Sequence, residues 1–229
     1  MARAQSRTFY GVCVLAHFAA LAVIVLIGYW LSISWGSFSW KENVSIYHPL
    51  LLTVAFLFFQ TEAILVYRVF RYQRKIFLKW AHVVLHSIAL ALALTALAAM
   101  VTHKLRAGNH HFQSPHSWHG LTVLVLYLVQ YVVGFATFLF PGASERVRNW
   151  LLSVHKFWGL MIFLLGAAQL FSGIAAFTYQ LSNCQDGGIC SALYQVNAAT
   201  MLLAVYVAAT AYILLTPEYK REPLLDDFH

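Results

Sequence analysis

Lys79-Trp80-Ala81-His82-Val83-Val84-Leu85-His86 opens a long apolar run and sets a cation, a histidine and a second histidine at successive turns. In lipid, ionisable side chains are costly and as a rule serve a function. Taken alone the stretch supports two readings: an i,i+4 histidine pair gripping a small metal ion, or one ligand of something larger. The choice depends on what the rest of the chain brings to the same depth.

Of the 229 residues, 61% are hydrophobic and 10% charged. Soluble domains carry about 25% charged residues, so the chain reads as a membrane protein with no soluble domain of useful size. Six apolar segments, at 9–33, 47–67, 80–102, 118–140, 154–178 and 192–215, meet the requirement of about 20 residues for a bilayer span. They are expected to be helices, because each must satisfy its backbone internally. The fold class is therefore all-α, a polytopic membrane protein of six transmembrane helices. One domain covers 1–229, with short cytosolic tails at 1–8 and 217–229. Arg3 and Arg7 precede a first span too long for a signal-peptide core, which reads as a retained helix. Pro141-Gly142, Gly187-Gly188 and Pro217 punctuate the linkers.

The net charge of +7 suggests nucleic acid only until the cations are located. Twelve of the 15 Lys and Arg residues fall on one side of the expected spans, leaving Lys41, Lys104 and Arg106 on the other. That asymmetry places both termini in the cytosol. Asn43-Val44-Ser45, a glycosylation sequon, then faces away from the cytosol. Cys184 and Cys190 share a loop on that same side, where a disulfide is permitted and a free pair equally allowed. Cys13, inside the first span, reads as an inert core thiol.

Eleven histidines are present. His229 is in the tail, and His17 reads as a core or interfacial side chain with one hydrogen bond. His110 and His111 occupy a polar loop, solvated and at most weak metal binders. The others form a pattern. His48 opens the second span and His116 lies just before the fourth, both at the extracytosolic edge; His82 in the third and His155 in the fifth lie at the cytosolic edge. Four consecutive spans thus supply one histidine each, and these sort by depth into two pairs, His48 with His116 and His82 with His155. Zinc takes three or four ligands, commonly with cysteine or carboxylate, and none is near. Haem iron takes two axial ligands, one on each face, and helical bundles hold such groups between facing helices. Two pairs imply two haems, and bis-histidine ligation suits electron transfer rather than oxygen binding.

At the cytosolic edge Arg68 and Lys79 flank the inner pair, where they are placed to hold a small anion. Arg71, Arg74 and Lys75 read as orientation signals. At the far edge His103, Lys104 and Arg106 are placed to do the same. Glu62, the only acid within a span, reads either as the partner of a cation or as a participant in proton movement. His86, deeper than His82, reads as a pocket residue.

Several motifs occur in order. They are Tyr47-His48-Pro49, Glu62-Ala63 followed by Val66-Tyr67-Arg68-Val69-Phe70-Arg71, Lys79-Trp80-Ala81-His82, His116-Ser117-Trp118-His119-Gly120, Phe140-Pro141-Gly142, and His155 followed by Gly159. In this order and spacing the chain resembles the cytochrome b561 family of ascorbate-dependent transmembrane cytochromes, most clearly from about residue 40 to 178. The resemblance implies six helices, with spans two to five holding two haem b groups. It implies His48 and His116 as extracytosolic ligands and His82 and His155 as cytosolic ones. Electrons would pass from cytosolic ascorbate, at Lys79 and Arg68, to monodehydroascorbate or a ferric chelate near His103, with His110 or His111 as substitutes. Asn197 corresponds to a family asparagine, and a homodimer is the family expectation.

Other readings stay open on the sequence. One is a haem-free, histidine-lined transporter of a divalent metal; another is a quinone-linked diheme anchor subunit. The dileucine in Arg221-Glu222-Pro223-Leu224-Leu225 fits an endosomal or lysosomal address, with a secretory vesicle or the plasma membrane as alternatives.

Overall fold

The computed structural model describes residues 2–178 and 191–221. Cys184, Cys190, Gly187-Gly188, the dileucine at 224–225 and His229 lie outside the described residues. Among the described residues every regular element is helical. They are α1 (Ala2–Trp35), α2 (Tyr47–Val54), α3 (Thr61–Val69), α4 (Lys75–Arg106), α5 (Pro115–Phe138), α6 (Glu145–Thr178) and α7 (Ser191–Leu215). A 3-10 turn, Val44–Ile46, leads into α2, and a second, Pro217–Tyr219, follows α7. A π-helical segment, Ala55–Gln60, joins α2 to α3, so these make one span. Among the described residues six helices are long and apolar enough to cross a membrane, and the chain is an integral membrane protein.

The helices overrun the apolar segments, because polar turns continue them beyond lipid. α1 reaches back to Ala2, so most of the expected tail at 1–8 is helical. α4 covers 75–106 rather than 80–102, and α6 starts at Glu145 rather than 154. Glu145 in the first turn of α6 complements the helix dipole. α5 starts at Pro115 rather than 118. Ser114 caps it, the Ser114 and Ser117 side chains each bonding the other's backbone N–H, and Pro115 takes the first helical position. His116, expected just ahead of the span, is therefore held rigidly in the first turn of α5. α4 ends on Gly108, whose φ of +65° suits the left-handed C-terminal cap, with Asn109 N–H donating to Lys104 O at 2.9 Å.

α1 and α7 pack along a stripe in which Ala16, Ala20, Val23, Ile27 and Leu31 meet Val196, Ala199, Leu203 and Tyr206. The alanines let the two helices approach closely, the usual basis of packing where lipid is as apolar as the protein. This pair closes one side of the bundle and leaves the interior between the second, third, fourth and fifth spans. The π segment lies at the join of the two regions. It frees carbonyls from the regular ladder, and the freed groups are taken up by side chains. Thr61 Oγ1 donates to Phe56 O at 3.0 Å and the Tyr206 hydroxyl donates to Leu57 O at 2.9 Å, with the Tyr206 and Thr61 hydroxyls in contact.

Candidate functional site

The four expected histidines meet in the two expected pairs. His48 from α2 faces His116 from α5 with ring centroids 6.2 Å apart; His82 from α4 faces His155 from α6 at 6.1 Å. Two imidazoles bound to opposite faces of one metal, each by a bond of about 2 Å, bring their centroids to roughly 6 Å. The spacing therefore fits a single metal ion between each pair. Among the described residues no group of three or more His, Cys, Asp or Glu is gathered to hold a metal.

Hydrogen bonds orient three of the four rings. His48 Nδ1 donates to Ala96 O at 3.1 Å, and His82 Nδ1 donates to Ala63 O at 2.7 Å. A carbonyl only accepts, so Nδ1 carries the proton and Nε2 is left with a free lone pair. His116 Nδ1 donates to Ser172 Oγ at 2.9 Å, and Ser172 Oγ in turn donates to Gln169 O at 3.0 Å. Such partners on the far nitrogen are the usual support of a metal-binding imidazole. Nδ1 of His155 is buried with no hydrogen-bond partner among the described residues, and its ring packs against Phe138 at 5.2 Å.

Two glycines make room for the rings. A Cβ at Gly173 would stand 3.0 Å from Cε1 of His116, and one at Gly134 would stand 2.9 Å from Cε1 of His155. α5 and α6 thus exchange places: each sends a histidine against a glycine of the other. Gly166 receives the Phe56 ring in the same way, its Cβ position lying 2.9 Å from Phe56 Cε1. His48, His116, Phe56, Gly166, Gln169 and Gly173 border one cavity, so the glycines shape a space at the first pair. The donor set, and the tautomers that carbonyls fix at His48 and His82, fit a b-type haem.

The family profile described as eukaryotic cytochrome b561 matches residues 47–180. The chain belongs to the cytochrome b561 family. Its relatives include transmembrane ascorbate-dependent reductase CYB561 of Homo sapiens, 37% identical over 88% of this chain and 80% of that protein. The protein of the same name from Bos taurus is 35% identical over the same shares. Lysosomal membrane ascorbate-dependent ferrireductase CYB561A3 of Homo sapiens is 30% identical over 97% of this chain and 98% of that protein.

In this cytochrome b561 both expected anion-holding cations also close helix ends. Lys79 Nζ donates to Phe138 O, the last residue of α5, at 2.8 Å. Arg68 donates to Thr216 O at 2.9 Å and also to Leu214 O, at the end of α7. Cations at these carbonyls complement the negative ends of the helices. His103 is half-buried in the last turn of α4, at the end of the molecule opposite Lys79; Lys104 and Arg106 share that turn. His110 is exposed in the following loop and His111 partly so.

Some participants were not assigned from sequence. His119 Nδ1 donates to Gln169 Oε1 at 2.7 Å, and Gln169 Nε2 donates to His116 O at 2.8 Å. Gln130 Nε2 donates to His155 O at 2.6 Å. Polar residues inside apolar spans were the available signal, and His119 shares a helix face with His116. His86 lies beside the second pair as expected, its ring 4.4 Å from that of His82 and its Nδ1 hydrogen-bonded to the Tyr127 hydroxyl at 2.7 Å. His17, expected to have one hydrogen bond, has two partners: Cys13 O at 2.7 Å and Glu62 Oε1 at 2.8 Å. Glu62 thereby gains the cationic or proton-sharing partner left open above.

Proposed function

We propose that this cytochrome b561 is an ascorbate-dependent transmembrane reductase with two haem b sites. It takes single electrons from cytosolic ascorbate and delivers them to monodehydroascorbate or a ferric chelate on the other side. The two imidazole pairs at 6.2 and 6.1 Å carry the reading. The names of the relatives support ascorbate as the donor, and one of them, a ferrireductase, supports ferric iron among the acceptors.

His48 and His116 hold one haem; His82 and His155 hold the other. Held between two imidazoles, such a group would supply a one-electron Fe(III)/Fe(II) couple. The peptide oxygen of Ala63 and that of Ala96, which fix one ring of each pair, lie far apart in depth: from His82 to Ala96 along α4 is about 20 Å of rise. The two sites therefore divide a hydrocarbon core of about 30 Å. At the cytosolic end Lys79 has one N–H on Phe138 O and two more for an ascorbate anion. Arg68, anchored by α7, adds a fixed positive charge. At the far end His103 receives the acceptor. Both termini are cytosolic, and the protein works as a homodimer in an endosomal, lysosomal, secretory-vesicle or plasma membrane.

The test is anaerobic addition of ascorbate to the purified protein, followed by visible absorbance. Reduced b-type bands are expected. A colourless protein favours the metal transporter, and bands that dithionite develops but ascorbate does not favour a quinone-linked anchor. Mixing the reduced protein with ferric chelate and, separately, with monodehydroascorbate ranks the acceptors by rate.

A further inference from the structure

Away from the histidine pairs, α1, the π segment, α3 and Tyr206 of α7 line a partly open cavity of about 230 Å³, large enough for several waters. Its walls are apolar apart from His17, Thr61, Glu62 and Tyr206. Glu62 is about 10 Å of helical rise inside its span, the depth of His82 in the next one. A carboxylate and an imidazole at that depth are expensive and call for a function.

His17 Nδ1 donates to Cys13 O, so its Nε2 meets Glu62 Oε1 with one proton between them. With that proton the pair is neutral, whichever atom holds it; without it the pair carries one negative charge. The cavity beside them has room for the waters along which a proton could reach them. The other titratable or charged groups nearby are Cys13 on α1, Tyr206 on α7 and Arg71 beyond α3. Tyr206 is committed to Leu57 O, and the Arg71 guanidinium sits over the Phe9 ring. Neither contacts the shared proton.

Glu62 is bonded directly to Ala63, whose carbonyl accepts the His82 Nδ1 proton. An electron arriving between His82 and His155 removes a positive charge from the neighbourhood. In a medium of low dielectric this raises the affinity of a nearby carboxylate for a proton. We infer that His17 and Glu62 form a redox-linked proton site, which takes one proton from solvent onto the Nε2–Oε1 pair when the His82/His155 site gains an electron and returns it when the electron leaves. The inference rests on the functional reading above, since it requires a redox group between those rings.

Redox titration of the haem-loaded protein at a series of pH values tests it, together with redox-difference infrared spectroscopy. In the wild type the midpoint potential of the His82/His155 haem should fall as pH rises, while the other haem shows a flatter profile. Glu62→Gln should flatten the first profile and Glu62→Asp restore it. On reduction the wild type should show an infrared change of a carboxyl or hydrogen-bonded imidazole that shifts in D2O and is absent from Glu62→Gln. The infrared measurement on the wild type with His17→Gln decides the matter if Glu62→Gln does not fold. A haem-loaded protein with equal pH profiles in wild type and variants, or with no such infrared change, overturns this proposal alone. A chain that purifies without haem overturns the functional reading and this proposal with it.

Discussion

The rings of His82 and His155 face each other at 6.1 Å, and the oxygen that orients the first of them, Ala63 O, comes from a third helix. α3, α4 and α6 therefore have to be correctly assembled before the pair exists. The His48 and His116 pair repeats this at the opposite end of the bundle: α4 supplies Ala96 O to His48 of α2, and α6 supplies Ser172 to His116 of α5. The four imidazoles are thus preorganised by helix packing rather than by loops, which would suit the proposed electron-transfer centres.

Gly173→Ala and Gly134→Ala should each disturb one site. The added methyl meets an imidazole carbon at about van der Waals overlap, and inserting a methyl into a packed interior costs roughly 1–3 kcal/mol. Gly173→Ala should lower haem content at the His48/His116 site and Gly134→Ala at the other. Haem content per chain and thermal unfolding check both.

Ser172→Ala removes the acceptor that fixes His116 Nδ1. Loss of such an outer partner lowers affinity for a bound metal centre by about 10- to 100-fold. Haem release to apomyoglobin should accelerate for one haem and not for the other, while Ser172→Thr, which keeps the hydroxyl, should stay near wild type.

The pairing of histidines was legible because hydrophobic runs give depth directly, and four spans each carry a histidine at one of two depths. Span number and helical class followed from the same runs. Other features depend on contacts between residues far apart in the chain. Gln169 and Ser172 look like tolerated polar residues until α5 is laid against α6. His17 and Glu62 are on different helices, and nothing local in the sequence joins them. The π-helical segment Ala55–Gln60 arises in an ordinary apolar stretch, with no local signal, and is stabilised by Tyr206 from α7. The helix ends differ from the ends of the apolar runs because hydrophobicity marks where lipid stops, whereas the helix stops where caps such as Ser114 and Gly108 act.

Lys79→Ala should leave both haems bound and slow reduction by ascorbate at least tenfold. It also removes a cation from the end of α5, worth about 0.3–1 kcal/mol. Stopped-flow reduction alongside thermal unfolding separates the two effects. Lys79→Arg should recover most of the stability, and its rate shows how far charge alone serves. A wild-type rate in Lys79→Ala removes this residue from the donor site.

The count of haems per chain tests the central claim most directly, determined by the pyridine haemochrome against protein mass for the wild type and four single alanine variants. Two haems are expected in the wild type and one in each variant. His82→Ala and His155→Ala should retain the same spectral species, and His48→Ala and His116→Ala the other. A wild type with a single haem, or retention of one species shared between His82→Ala and His48→Ala, would contradict the account.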